Sequence, residues 1–299
     1  VPRPAPPSSP PRLAPEALAV LRRALGRDVG RDVRFLGAGL DHPAFLVDGE
    51  LVVRTGFPLE GAARREADLL ELLARRGLPV PEVVLVQDLA RMLVHRFVPG
   101  RPVYEHDDPD VRSVAAQVAE MLVEVHAVTD WALPLVGTYV EPAQAEWDDA
   151  VRAWARIATR VDATEAALVR AFFAETSAAE RSDLPEPTAV RLCHGDLGAE
   201  HVLVGDDGAT ITGIIDWSDA VVADPARDLG RIRRDLGPAA TTVVRARLRA
   251  AGAPVDERRE RLYAGLAAVE DIAYGLGDGP RGYADRALAN LERTLAAPA

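Results

Sequence analysis

Over the first hundred residues, apolar positions alternate with polar ones in short bursts, and the bursts predict strands. The stretch "VRFLGAGLDHPAFLVDGELVVRTG" predicts three, at Val33–Leu36, Ala44–Val47 and Leu51–Arg54. Asp48-Gly49 joins the last two, a dipeptide that suits the tight hairpin turn with positive φ. A helix is expected before them at Pro15–Leu25, with Pro15 in its first turn. Another follows at about Glu60–Arg75, where Ala63, Ala67, Leu70 and Ala74 form one stripe before Gly77 stops it. "VPEVVLVQDLARMLVHRFVPG" then predicts two more strands, ended by Pro99-Gly100. Five strands around one central helix result.

Beyond residue 100 the period lengthens to that of helices. Asp108-Pro109 reads as an N-cap and first-turn proline. Val114, Val118, Met121, Leu122 and Val125 follow on one face. Helical patterns recur at about Glu146–Phe173, Ala226–Asp235, Ala239–Ala250, Glu257–Leu276 and Ala284–Leu295. Between them lie a strand at Val190–Cys193 and a hairpin of Val202–Val204 and Thr210–Ile215 around Asp206-Asp207-Gly208. The expected organisation is α+β: a disordered or extended Pro-rich tail at 1–12, a small β-rich lobe at 13–98 and a mainly helical lobe at 99–299.

Composition narrows the function classes. The 299 residues, 48% hydrophobic, are enough to bury a sizeable core. A net charge of -11 disfavours nucleic acid and anionic membrane as partners and suits a cationic ligand. One cysteine, Cys193, excludes an internal disulfide framework and is expected in a core strand. No apolar run approaches the roughly 18 residues of a membrane span; the single cysteine suits a reducing cytoplasm, and a monomer is expected. The chain has no lysine; all 35 basic residues are arginine.

Chemistry concentrates in "RLCHGDLGAEHVLVGDDGATITGIIDWSDA", Arg191 to Ala220. Asp196 and Asp216 each follow a short apolar strand, a placement that presents an acid rather than burying it. One acid there can accept the proton of an attacking hydroxyl and the other can hold Mg²⁺ on a nucleotide. The plain alternative is that both cap turns. The spacing favours chemistry: an acid, a ligand-capable residue five positions on, then a second acid after a hairpin.

"HGDLGAEHVLV…GIIDWSDAVVADPARDL" resembles the aminoglycoside phosphotransferase family, whose fold is protein-kinase-like with two lobes. The motif is nearest to the 2″-aminoglycoside and macrolide 2′-phosphotransferase branches, which carry His where most relatives carry Asn. The resemblance implies that Asp196 orients the acceptor hydroxyl and takes its proton, and that His201 and Asp216 hold Mg²⁺. It makes His194 a structural residue of the loop. Asp224, before Pro225, reads as a cap, and Asp219 as a turn residue or one that faces the acceptor.

A kinase holds the phosphates of its nucleotide with a strand lysine paired to a helix glutamate. Here the matching positions offer Arg54 and Glu66, a planar fork in place of a point charge. Gly37 and Gly39 stand where backbone N–H groups can approach phosphate. The resemblance assigns the Arg96 C=O and Val98 N–H to the nucleotide base and His95 to the position behind it. ATP and GTP both stay open as donor. For a polycationic acceptor, carboxylates and aromatic surface are needed; Trp147 and Asp148, with Glu270, Asp271 and Tyr274, are the candidates. The implied activity is nucleotide-dependent phosphorylation of an aminoglycoside hydroxyl, giving antibiotic resistance. The alternatives are a macrolide or small-metabolite alcohol as acceptor, or a kinase-like nucleotide-binding module without transfer activity.

Overall fold

The computed structural model describes residues 11–38, 43–57, 59–138, 143–176, 190–277 and 279–296. The chain divides into two compact units, Val1–Pro99 and Gly100–Ala299. Most of the proline-rich tail, with Gly39, lies outside the described residues.

In the first unit, strands β1 (Val33–Ala38), β2 (Pro43–Val47), β3 (Leu51–Thr55), β4 (Val83–Gln87) and β5 (Met92–Arg96) form one antiparallel sheet ordered β1-β2-β3-β5-β4. The β2–β3 turn has φ of 52° at Asp48 and 72° at Gly49, the conformation its dipeptide predicts. The Asp48 carboxylate also accepts N–H bonds from Gly30, Arg31 and Asp32 at 2.7–2.9 Å, which anchors the chain entering β1. Because side chains alternate, Leu51 and Val53 join Phe45, Val47, Met92 and Val94 in a buried cluster with Leu21 of helix α1 (Pro15–Leu25). Val52 and Arg54 point to the other face, over which helix α2 (Ala62–Arg75) packs. Gly37 sits within β1 at a bulge opposite Ala44, not in a loop.

In the second unit, helix α3 (Val111–Ala127) is capped by Asp110, whose carboxylate accepts from Ser113 N–H at 2.9 Å. Asp108, expected to cap it, lies two residues too early. Helix α4 (Thr129–Val136), with Pro134 inside it, is not among the expected elements. The long helix expected at Glu146–Phe173 is two: α5 (Ala143–Ile157) and α6 (Ala163–Glu175). Asp162 and Glu165 break it by forming a reciprocal capping box at 2.8 and 3.2 Å.

Short strands follow: β6 (Arg101–Pro102) pairs with β8 (Val202–Val204), which pairs with β9 (Ile211–Ile214). β7 (Arg191–Cys193) pairs antiparallel with β10 (Val221–Ala223), a strand not among the expected elements. Helices α7 (Ala226–Leu236), α8 (Pro238–Ala250), α9 (Glu257–Leu276) and α10 (Arg281–Leu295) complete the unit. α9 is its axis, packed on α7, α10 and α5. Gly230 permits the tight α7–α9 crossing: a Cβ there would lie 2.7 Å from Tyr263 Cβ. Among the described residues no helix is long and apolar enough to cross a membrane.

Candidate active site

Strand β7 delivers the chain into the loop His194–His201. Three contacts set that loop. Thr129 Oγ1 accepts from Leu192 N–H at 2.9 Å, fixing the strand. Asp228, on α7, accepts from His194 N–H at 2.8 Å and Gly195 N–H at 3.0 Å, one bond to each carboxylate oxygen. Gly195 has φ 87°, and a Cβ there would meet Asp219 O at 2.1 Å, so only glycine fits this turn. Asp228 is wholly buried, and burial pushes its carboxyl up to about 6 against those two donated bonds.

The two histidines have opposite characters. His194 Nδ1 accepts from Asp196 N–H at 3.2 Å, so its proton sits on Nε2, which donates to Ile215 C=O at 3.0 Å. Burial, helped by the charge on His201, pulls its pKa down to about 4, and the ring is neutral. The ring of Trp217 packs on it, centroids 4.6 Å apart. His201 Nδ1 lies 2.7 Å from Asp196 C=O and donates to it. Its Nε2 therefore faces Asp216 Oδ2, 3.8 Å away. Burial opposes charge on His201, but Asp196, Glu200 and Asp216 outweigh it and raise the pKa above the usual value.

Asp196 is part-buried. Burial works against its ionisation, yet the charges of Arg231, His201 and Arg234 prevail and hold the carboxyl below the usual range. Arg231 is the main partner, Nη1 to Oδ1 at 3.0 Å. Asp216 ends β9 in a left-handed conformation, φ 63° and ψ 66°, which turns its side chain out of the strand; Ser218 Oγ donates to Oδ1 at 2.9 Å. Asp196, Glu200 and His201 bring ligand atoms within 4.8 Å of one another. Glu200 was not foreseen from sequence; its place beside the "GDLGAEH" acids was the available signal. Carboxylate oxygens suit a hard cation, and a neutral His201 offers a nitrogen toward Asp216, so the donor set fits Mg²⁺.

In the first unit, Arg54 and Glu66 are both buried and form an ion pair through Nη1 and Oε1. His95 is buried in β5 on the same sheet face, and its Nδ1 lies 2.9 Å from Arg96 C=O. That carbonyl, expected to meet a nucleotide base, thus already has one partner and keeps a second lone pair. Val98 is half-buried in the segment after β5.

The acceptor candidates fare unequally. Trp147 is buried against Phe172 and Phe173, centroids 5.7 and 4.9 Å away, so it builds core rather than a binding surface. Asp148 beside it and Asp219 are exposed. Glu270 and Asp271 on α9 each meet an arginine of α7: Arg231 at 3.4 Å and Arg234 at 3.0 Å. Burial pushes Asp271 up to about 7 despite Arg234. Tyr274 is half-buried, edge-on to Tyr283 at 5.2 Å. Asp224 caps α7 by accepting from Ala226 N–H at 3.0 Å and pairs with Arg259, a structural role. Cys193 is fully buried, a core strand residue as expected.

A carboxylate on a loop pinned from below, a second acid after a hairpin and a sheet with an internal Arg–Glu pair are the parts of a protein-kinase-like fold. Known proteins agree. The family model described as "Phosphotransferase enzyme family" matches residues 32–263, and the chain belongs to that family. It is 32% identical over 189 residues to the aminoglycoside 3′-phosphotransferase of Streptomyces fradiae, covering 61% of this chain and 66% of that protein. Among solved structures it resembles the GDP and kanamycin complex of APH(2″)-IIia, with TM-score 0.66, 23% identity, and coverage of 93% of this chain and 98% of that one. It also resembles macrolide 2′-phosphotransferase type I, with TM-score 0.60, 22% identity, and coverage of 96% and 99%.

Proposed function

We propose that the chain transfers the γ-phosphate of ATP or GTP to a hydroxyl of an aminoglycoside antibiotic, and so confers resistance. The observation that carries this reading is Asp196: an ionised carboxylate on a loop held by Asp228 and His194, with Asp216 and His201 next to it. In the step proposed, the acceptor oxygen forms a bond to Pγ while the bond from Pγ to the β-bridging oxygen breaks. The nucleoside diphosphate leaves with that electron pair, and the hydroxyl proton passes to Asp196. Asp216 and a neutral His201 would hold Mg²⁺, which when bound offsets the phosphate charge. Arg54, oriented by Glu66, would contact the nucleotide phosphates in place of lysine.

Aminoglycoside-directed relatives support the acceptor class. The pairing of Glu270 and Asp271 with arginines favours one second reading, a less cationic acceptor such as a macrolide.

The test is an acceptor screen with both nucleotides, reading nucleoside diphosphate release and the mass of the product. Phosphorylated aminoglycoside is expected. Asp196→Ala should lower kcat about 10³-fold with nucleotide affinity nearly unchanged. Phosphorylation of macrolides alone would replace the acceptor. No acceptor turned over, with Asp196→Ala harmless to the cellular effect, would leave a binding module.

A further inference from the structure

Helix α3 grips the hairpin that runs from His201 to Asp216, and Gln117 is the side chain that does it. Gln117 Nε2 donates to Ala209 C=O at 2.7 Å and to Ser113 C=O at 3.1 Å, and Gln117 Oε1 accepts from Ile211 N–H at 3.0 Å. An oxygen that meets an N–H and a nitrogen that meets two carbonyls fix which way round the amide lies. The side chain pairs with the hairpin as a peptide group of a neighbouring strand would. At the start of the same helix, Asp110 N–H donates to Gly208 C=O at 3.0 Å. The grip of Gln117 falls where the β8–β9 ladder is irregular. Val202 faces Ile214 and Leu203 faces Gly213, but Val204 faces Ile211, so Thr212 is an extra residue in β9. At the far end Ile215 N–H donates to His201 C=O at 3.0 Å, and Asp216 follows. So short a ladder has few bonds to hold its register, and a slip of one residue turns every side chain to the opposite face.

We propose that Gln117 is a positioning residue for the metal: it locks β9 in the register that brings Asp216 against His201. This role rests on the phosphotransferase reading, which gives those two residues to Mg²⁺, and adds the group that sets their separation. From Ile211 to Asp216 the chain is one short strand and its end, so a shift at the gripped end is carried to the carboxylate. The exposed turn has support of its own. The Asp207 carboxylate accepts from Ala209 N–H and Thr210 N–H, both at 3.0 Å, and from Thr210 Oγ1 at 2.6 Å. Those bonds lie inside the turn and tie it to no other element, whereas Gln117 ties it to α3.

The experiment uses the full chain. Gln117→Met keeps the length of the side chain and loses the bonds to Ala209 and Ile211. It should raise the Mg²⁺ concentration for half-maximal turnover about tenfold, with kcat at saturating Mg²⁺ within about threefold. Mn²⁺ binding to the protein, read by EPR with neither nucleotide nor acceptor present, should weaken by a similar factor and needs no turnover. Asp207→Ala removes the turn's own bonds and should leave both metal constants within about twofold, because it touches no bond to α3. Equal shifts in Asp207→Ala and Gln117→Met mean general loosening and overturn the role of Gln117, as do unchanged metal constants in Gln117→Met. Gln117→Glu keeps an acceptor for Ile211 N–H but no donor for Ala209 C=O, and serves if Gln117→Met folds poorly. It should shift both constants in the same direction, and unchanged constants there overturn the role equally. A wild type that binds Mn²⁺ without phosphorylating any acceptor overturns the phosphotransferase reading, while weaker Mn²⁺ binding in Gln117→Met still supports the positioning role. A wild type that binds no Mn²⁺ overturns that role.

Discussion

Each unit of the molecule sets an arginine against a carboxylate at a position that matters for phosphate chemistry, and the two pairs differ in what surrounds them. Arg54 and Glu66 come from a strand and the helix packed on it, both buried, in a sheet whose other face is an apolar core. Arg231 and Asp196 come from a helix and a loop, and both keep some exposure, 18% and 29% of the side chain. A buried pair is a commitment: removing one partner strands a charge that cannot reach water. A partly wet pair is adjustable, and its geometry governs reactivity more than stability. The first pair is thus built to last through turnover, while the second shares its carboxylate with whatever enters.

The comparison breaks most easily at Arg54. Arg54→Ala should cost about 3–5 kcal/mol of stability, read by urea unfolding, because Glu66 is left charged and buried. Adding Glu66→Gln should recover a large part of that loss. The same Arg54→Ala change should raise nucleotide KM by about tenfold or more; wild-type nucleotide affinity would reduce Arg54 to a structural residue.

Acid should separate the units next. His194 has a folded pKa of about 4 against an unfolded value near 6.5. Above pH 6.5 both states are neutral and nothing is lost. As pH falls from 6.5 to 4 the unfolded state takes the proton first, so stability declines, by on the order of 3 kcal/mol. His126, buried and likewise lowered to about 4, adds a loss of the same sign. His194→Asn should flatten the profile between pH 7 and 5; a wild type equally stable at both would contradict it. Activity should fail lower, as pH approaches about 4, where the folded protein's Nδ1 takes a proton and no longer accepts from Asp196 N–H.

A smaller effect tests how the loop is held. Asp228→Asn keeps the size of the side chain but turns one acceptor into a donor facing a backbone N–H. It should cost about 1–3 kcal/mol and lower kcat with little change in either KM. Loss of stability with full kcat would mean that the loop does not need this anchor.

Much of this architecture was legible because its signals are local. The hairpin at Asp48-Gly49, the stop at Gly77 and the strand end at Cys193 each follow from a few adjacent residues, and the strand expected at Thr210–Ile215 runs over Ile211–Ile214. Arg54 and Glu66 were legible only through the downstream motif, because a kinase pairs a strand cation with a helix glutamate at those positions; by themselves they read as an exposed strand arginine and an exposed helix acid. The misreadings share one cause. Asp162 and Glu165 cap a helix where periodicity ran on, and Pro134 sits within a short helix that tertiary contacts to β7 and β10 support.

The sequence by itself determined the two kinds of lobe, the order of their elements and the identity of Asp196, His201 and Asp216 as candidates. Periodicity, turn chemistry and motif spacing act within about ten residues, and all of that information lies along the chain. Only the tertiary structure decided that Asp228 and Arg231 hold the catalytic loop and that Trp147 is core. Those contacts join positions more than thirty apart, or depend on which side of a helix faces inward. Asp228 and Arg231 sit one turn apart on α7, on either side of the Gly230 that packs against Tyr263 of α9, and that approach of two helices is a distance no local pattern encodes.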